Sequence, residues 1–180
     1  MTIHLVRGRP GSGKTTVAGA VAARLQAAGV AVTGFVTEEV REGGRRRGFR
    51  LRRLDVEDRG VLADVALPGP PRVGRYGVDV AALERLALPA LDVPPGVVVV
   101  VDELGPMELV SQPLRTAVGQ LVDRRDVRCL LTVHARPHPL TDALLARPDA
   151  EVHEVTRGDR DALPARLAAR LRADPPAGTP

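Results

Sequence analysis

Apolar residues in this chain alternate between short continuous runs and longer segments in which they recur at a helical period. The runs are rich in valine, and the run at 97–101 consists of valine alone. Short runs of β-branched residues are typical of strands that are buried on both faces, as in a parallel sheet. We therefore predict five strands, within residues 3–6, 30–36, 97–101, 127–133 and 151–155.

The segments between these runs have the features of helices. Gly29 is expected to end the first helix, and Pro89 the second. Ser111 and Pro113 suit the start of the regular part of the third helix, as N-cap and first-turn residues. Strands that alternate with helices form a parallel sheet with helices on both faces, so we predict an α/β fold. The predicted helices span residues 16–28, 79–88, 139–146 and 159–173, and residues 105–109 lead into a further helix that ends near residue 123.

An arginine-rich segment interrupts this alternation. Apolar residues at alternate positions flank the pair Gly43-Gly44, which predicts a β-hairpin inserted near residues 37–55. Seven arginines lie between positions 41 and 53. Solvated edge strands explain most of them, and the alternative is that one or two reach a ligand. Residues 56–78 are predicted to be irregular, with Tyr76 either in a shaped loop near a ligand or in a plain connector.

The composition indicates one domain. A chain of 180 residues with 44% hydrophobic content can bury a full core, and we assign residues 1–173 to a single domain. The tail at 174–180 is rich in proline and glycine and is expected to be disordered.

We expect no secretory signal and no membrane span, because no apolar run approaches ~18 residues. Cys129, the sole cysteine, lies in an apolar run, which favours a buried thiol in a cytoplasmic protein.

The sequence argues against nucleic acid and structural zinc as partners. The net charge of +4 and the pI near 10.4 invite a nucleic-acid function. However, arginine is spread over the whole chain, and three aromatic residues are too few for several stacking platforms, which argues against nucleic acid as a partner. His134 and His138 have the spacing of a metal pair, but no cysteine or third histidine accompanies them, which argues against structural zinc.

Residues 8–15 match the pattern G-x-x-x-x-G-K-[ST] between a predicted strand and a predicted helix. Glycines in such a loop let successive N–H groups converge on an anion, and the start of the helix adds partial positive charge. Lys14, the only lysine of the chain, supplies a full charge to the β- and γ-phosphates, and the Thr15 hydroxyl is a magnesium ligand. The predicted phosphate-binding residues are Gly8, Arg9, Pro10, Gly11, Ser12, Gly13, Lys14, Thr15 and Thr16.

Asp102 and Glu103 directly follow the valine run. The carboxyl end of a central parallel strand is where open α/β sheets bind ligands. Combined with the loop at 8–15, this position assigns Asp102 to magnesium and Glu103 to polarisation of the attacking water. Thr132, at the end of the next strand, is the candidate for sensing the γ-phosphate or that water.

Four segments, in order, resemble the THEP1-type nucleoside-triphosphatases, small P-loop proteins related in fold to RecA and AAA+ ATPases. The resemblance spans residues 3–157 and implies a three-layer αβα sandwich with the five strands in the order 5-1-4-3-2. It also implies magnesium-dependent hydrolysis of several NTPs to NDP and phosphate, with loose base selectivity and Glu103 as the catalytic acid. The segments are Gly8–Thr16, Gly34–Glu42 with Gly44 and Arg47-Gly48-Phe49, Val73–Val78, and Asp102–Leu109.

The leading hypothesis is a magnesium-dependent NTP hydrolase in which Lys14, Glu103 and Thr132 act in catalysis. The alternative is a nucleotide or nucleoside kinase with residues 41–78 as a lid, although a glutamate directly after the magnesium aspartate suits water activation better. A third hypothesis is a binding module or switch with slow turnover. The preferred base, an acceptor other than water and the oligomeric state are left open. The sequence does not rank the possible transition-state arginines, which are Arg41, Arg47, Arg75 and Arg136.

Overall fold

The computed structural model describes residues 2–156, 158 and 161–173. Nine strands and five α-helices form within these residues, together with one 3₁₀ turn. The strands are β1 (Ile3–Arg7), β2 (Val32–Glu42), β3 (Arg45–Arg53), β4 (Arg59–Asp64), β5 (Arg72–Val73), β6 (Tyr76–Val78), β7 (Val98–Leu104), β8 (Arg128–Val133) and β9 (Ala150–Glu154). The helices are α1 (Lys14–Ala27), α2 (Val80–Leu91), α3 (Gln112–Asp123), α4 (Pro139–Leu145) and α5 (Leu163–Ala173), and the 3₁₀ turn is Glu108–Val110.

All nine strands join one sheet in the order β5-β6-β4-β3-β2-β7-β8-β1-β9. The five strands from β2 to β9 in this order pair in parallel. Numbered along the chain, these five have the order 5-1-4-3-2, as the family resemblance implied. In their register Val6 is opposite Thr132, and Val36 is opposite Asp102. The P-loop, Asp102 and Thr132 therefore lie at one edge of the sheet.

The other four strands extend the sheet in antiparallel fashion. The predicted hairpin is confirmed, because β2 and β3 pair and Gly43 and Gly44 form its turn. The prediction that residues 56–78 are irregular was wrong, because they contain β4, β5 and β6. These strands are only two to six residues long, which is too short for a clear apolar alternation. Their pairing partners, which the local sequence does not reveal, make them strands.

The two faces of the sheet carry different helices. Along β7 alternate valines enter opposite cores, with Val99 and Val101 on one face and Val98 and Val100 on the other. Apolar residues of α2 and α3 join the first core, and those of α1 and α5 join the second. This arrangement is the predicted three-layer α/β sandwich. Within the described residues no helix is long and apolar enough to cross a membrane.

Several helix boundaries differ from the sequence prediction; α1, for example, begins at Lys14, two residues before its predicted start. Helix α2 was expected to stop at Pro89 but continues to Leu91, with Pro89 inside it. Proline removes one backbone hydrogen bond, yet the burial of Ala90 and Leu91 against the sheet keeps the last turn helical. Helix α5 begins at Leu163, whereas its predicted start at Asp159 and the predicted tail at 174–180 lie outside the described residues.

Candidate active site

The loop between β1 and α1 has the backbone of an anion cradle. Gly11 and Gly13 have φ angles of 75° and 103°, which side chains with a Cβ atom rarely adopt. Gly13 is the N-cap of α1 and has no side chain to cap the helix. The first turn of α1 therefore keeps backbone N–H groups for an anion, at the positive end of the helix dipole.

Lys14 joins this loop to the end of β7. It is the first residue of α1 and is only 8% exposed. Its Nζ donates a hydrogen bond to the Gly8 carbonyl at 3.2 Å and forms an ion pair with Glu103 Oε1 at 3.3 Å. Two predicted site residues from distant parts of the chain, Lys14 and Glu103, are thus in direct contact.

Asp102 is completely buried behind this pair. Thr132 Oγ1 donates a hydrogen bond to Asp102 Oδ1 at 2.6 Å, and Thr15 bonds the same carboxylate. Burial raises the pKa of Asp102, and the negative charge of Glu103 adds to this, whereas the two threonine hydrogen bonds and Lys14 oppose it. Asp102 Oδ2 has no hydrogen-bond partner among the described residues. A buried carboxylate oxygen beside a threonine hydroxyl fits the oxygen ligands that magnesium prefers, so Thr15 and Asp102 can hold this ion.

Thr132 lies behind the site. The residue is fully buried, and its hydroxyl is directed at Asp102. This contact orients the carboxylate. Its predicted role in sensing the γ-phosphate or the water stays a prediction.

Glu108 is a site residue that the sequence analysis missed. It is buried, and its Oε2 accepts from the Gly105 N–H at 3.1 Å while its Oε1 accepts from Thr37 Oγ1 at 3.3 Å. Burial raises the pKa of Glu108 to about 8, with the negative charges of Glu103 and Asp102 adding to the shift. The sequence signals were its place five residues after Glu103 and within the segment Asp102–Leu109 of the family resemblance, which we interpreted as the approach to a helix.

A cavity of about 940 Å³ opens in front of these residues. Residues of the P-loop, including Lys14 and Thr15, form one wall, and Glu103 and Glu108 lie on another. The volume is in the range of small-molecule and cofactor sites. The cavity is large enough for a nucleotide.

The antiparallel extension forms the far wall of this cavity with Phe49 and Tyr76. The two rings make an edge-to-face contact with centroids 5.4 Å apart, and the Arg46 guanidinium lies 5.5 Å from the Phe49 ring centroid. Of the two possibilities left open for Tyr76, the structure favours a position near a ligand. Arg46 was not among the predicted arginines.

The four predicted arginines occupy different places. Arg41 and Arg47 line a separate pocket of about 410 Å³ on the hairpin. Arg75 donates to the Arg46 carbonyl and to the Tyr76 hydroxyl. Arg136 lines the large cavity together with Lys14 and Glu103.

The two histidines near the end of β8 have local roles. The His134 Nδ1 atom accepts a hydrogen bond from the Arg136 N–H at 2.9 Å. The His138 Nδ1 atom accepts one from the Leu140 N–H at 3.1 Å and caps α4. These contacts fix the loop after β8 beside the cavity.

Comparison with known proteins agrees with this geometry. A family model described as NTPase matches residues 4–168. The protein named nucleoside-triphosphatase THEP1 from Thermofilum pendens is 43% identical over 171 residues, which cover 93% of each chain. This chain belongs to the THEP1 nucleoside-triphosphatase family.

Further THEP1-family relatives match over nearly the whole chain. The human cancer-related nucleoside-triphosphatase is 41% identical over 170 residues, covering 87% of this chain and 89% of the relative. The solution structure of a human cancer-related nucleoside triphosphatase has a TM-score of 0.81 at 38% identity and covers 97% of this chain and 100% of that one. The crystal structure of THEP1 from Aquifex aeolicus has a TM-score of 0.81 at 32% identity, and the match covers 95% of this chain and 99% of that one. The resemblance drawn from the sequence motifs is confirmed.

Proposed function

We propose that this chain is a magnesium-dependent hydrolase of nucleoside triphosphates, which releases nucleoside diphosphate and phosphate. The observation that carries the proposal is the contact between Lys14 of the P-loop and Glu103 at the end of β7, beside the buried Asp102. The names of the THEP1 relatives support the same activity.

The loop residues hold the triphosphate. Backbone N–H groups within Gly11 to Thr15 bind the phosphate oxygens, and the Lys14 ammonium neutralises charge on the β- and γ-phosphates. Phosphoryl transfer needs little covalent help from a protein, so positioning and charge stabilisation account for most of the catalysis. Lys14 can leave Glu103 for phosphate oxygens without moving far, because its Nζ already lies in the cavity wall.

Thr15 and Asp102 are the residues that would hold magnesium. When bound, the ion neutralises charge on the phosphate oxygens and fixes their orientation. Thr132 is a positioning residue in this proposal, because its hydroxyl directs one Asp102 oxygen and leaves Oδ2 for other contacts.

Glu103 acts on water. Its side chain is 24% exposed and lines the cavity, so a water molecule can reach it beside the γ-phosphate. The carboxylate orients this water and takes up its proton while the water oxygen bonds to the γ-phosphorus. The bond from the γ-phosphorus to the bridging oxygen breaks, and the diphosphate keeps that oxygen.

Of the four arginines that the sequence left unranked, Arg136 is the one that lines the cavity with Lys14 and Glu103, and we assign it to transition-state charge. Positive charge at the transferred phosphoryl group is a recurring need of this chemistry. We further propose broad base selectivity, as the family resemblance implies.

A phosphate-release assay tests the proposal. We expect phosphate from ATP, GTP, CTP and UTP in the presence of magnesium and none after its removal by EDTA. Lys14→Ala should weaken nucleotide binding about 10- to 100-fold, because one charge-assisted contact is lost. Arg24→Ala, which removes an exposed cation from the same helix, is the control and should bind normally. Phosphate transfer only after addition of a nucleoside or nucleoside monophosphate would contradict hydrolysis.

A further inference from the structure

Two histidines and a glutamate meet between β1 and β9. His4 on β1 is opposite Glu151 on β9 in the parallel register. His153 lies two residues after Glu151, and successive side chains of a strand point to opposite faces, so all three share one face. Val6, on the same face of β1, belongs to the core beneath α1 and α5. The cluster therefore lies between the sheet and this pair of helices.

The ligand atoms of this cluster are close enough to share one ion. His4 Nδ1 is 3.0 Å from His153 Nε2 and 3.8 Å from Glu151 Oε2, and His153 Nε2 is 3.9 Å from Glu151 Oε1. Zinc-to-nitrogen bonds of about 2.0–2.1 Å place tetrahedral ligand atoms roughly 3.3–3.4 Å apart. The three measured distances lie on both sides of this value. We propose that His4, Glu151 and His153 form a binding site for a divalent transition-metal cation of the zinc type.

The donor set suits this class of ion. Two imidazoles and one carboxylate are a known three-ligand set for zinc, in which water completes the tetrahedron. Magnesium prefers oxygen ligands and is not expected here. The cation would replace the single proton that the two rings share in their hydrogen bond.

The surroundings allow an ion to enter. His4 and His153 are buried, whereas the side chain of Glu151 is 36% exposed and leads to solvent. Arg170 of α5 forms an ion pair with Glu151. A divalent ion would compete with this guanidinium for the carboxylate, so removal of Arg170 should strengthen metal binding.

The proposed site is separate from the magnesium site. His4 precedes Gly8 by four residues, which corresponds to about 13 Å along β1 at roughly 3.3 Å per residue. A metal here would tie the edge strand β9 to the strand that leads into the P-loop. Binding to the folded state alone would raise the thermal stability of the protein.

Calorimetric titration with zinc tests this site. The full chain is titrated in millimolar magnesium, which competes with zinc for the carboxylates near Lys14, and cobalt is added separately to record visible d–d absorption. We expect one zinc per chain and the absorption of tetrahedral cobalt. His153→Gln should lower the zinc affinity ~100-fold or more, since even partners of ligands contribute 10- to 100-fold. Arg170→Gln should raise it.

The chain offers a matched control, because His138 lies outside the cluster and caps α4. His138→Gln should bind zinc like the wild type. If His153→Gln does not fold, Glu151→Gln replaces it, because this residue is partly exposed and its amide keeps the shape of the side chain. The absence of saturable zinc binding, or equal affinity in the wild type and in whichever of these two variants folds, would overturn the proposal and leave an ordinary hydrogen-bonded histidine pair.

Discussion

Glu108 is a buried carboxylic acid beside two carboxylates that the proposed mechanism needs in ionised form. Its pKa of about 8 keeps it protonated at neutral pH. A neutral Glu108 can link Thr37 of β2 to the Gly105 loop without adding a third negative charge near Asp102 and Glu103. Its chemical role is therefore closer to that of a glutamine than to that of an ionised glutamate.

This protonation state makes stability depend on pH. The folded-state pKa of Glu108 lies above the usual 4.5, so the folded state retains a proton that the unfolded chain loses. Its contribution to stability is complete below about pH 4.5 and is lost as the pH rises towards 8. We expect Glu108→Gln to remove this loss. Between pH 5 and pH 8, the unfolding free energy of Glu108→Gln should therefore rise relative to that of the wild type by about 2–4 kcal/mol.

Urea unfolding of both proteins at the two pH values measures this effect. Glu57→Gln changes an exposed carboxylate and should follow the wild type at each pH. If the wild type and Glu108→Gln show the same change of unfolding free energy with pH, Glu108 is ionised in the folded protein.

Thr132 gives a second prediction at the residue scale. Thr132→Val keeps the shape of the side chain but removes the hydroxyl that directs Asp102. We expect kcat to fall ~10- to 100-fold and the magnesium concentration needed for half-maximal activity to rise, as for other residues that orient a metal ligand. Nucleotide affinity in the absence of magnesium should stay the same.

Thr33→Val is the matched control for this change. Thr33 is also buried, but its hydroxyl donates to the Ala90 carbonyl of α2, away from the cavity. Steady-state kinetics over a range of magnesium concentrations compares the two variants. Equal losses of activity would mean that the Thr132 hydroxyl contributes to stability only.

At the scale of elements, β2 lies close against β7 at Gly34. Gly34 of β2 has a φ angle of 110°, and a Cβ atom built there would lie 1.9 Å from the Val100 carbonyl oxygen. Gly34→Ala should therefore destabilise the protein by about 3 kcal/mol or more, through strain and displacement of the two strands. Denaturant unfolding measures this loss.

Gly19 provides the comparison, because it lies in α1 and a Cβ atom there would meet no atom within 4 Å. Gly19→Ala should be neutral or should stabilise the protein by up to about 1 kcal/mol, since alanine favours the helix. Similar stabilities of the two variants would contradict the packing that we describe for β2 and β7.

Sequence patterns identify some elements better than others. The parallel strands were predictable because valine runs buried on both faces carry their own signal, as at 97–101. The strands β4, β5 and β6 were not, because their pairing comes from neighbours and not from local periodicity. The predicted end of α2 at Pro89 was wrong for a related reason. Packing of the last turn against the sheet outweighs the one backbone hydrogen bond that the proline removes.

At the scale of the whole molecule, the site combines motifs that are local in sequence with contacts that are not. The P-loop and the Asp102-Glu103 pair follow strands of a recognisable type, so their meeting at one sheet edge could be inferred. Glu108 and Arg46 enter the site through loop and hairpin conformation, for which no spacing rule exists. The cluster of His4 with Glu151 depends on strands at opposite ends of the chain, and only the sheet order brings them together.

Many arginines of the hairpin have a carboxylate beside them. Arginines of the hairpin form ion pairs with nearby carboxylates, for example Arg46 with Glu39 and Arg52 with Glu38. Exposed pairs of this kind contribute little to stability, but they neutralise much of the local positive charge. The prediction that nucleic acid is not a partner stays a prediction.

The most direct test of the central claim is phosphate release by Glu103→Gln, measured beside nucleotide binding by the same protein. The proposed mechanism predicts a kcat lower by about 100- to 1,000-fold, because the water loses the carboxylate that orients it and takes its proton. Nucleotide affinity should be unchanged or higher, since Lys14 no longer has an anionic partner at 3.3 Å. A Glu103→Gln protein that binds nucleotide and releases phosphate at the wild-type rate would contradict the claim.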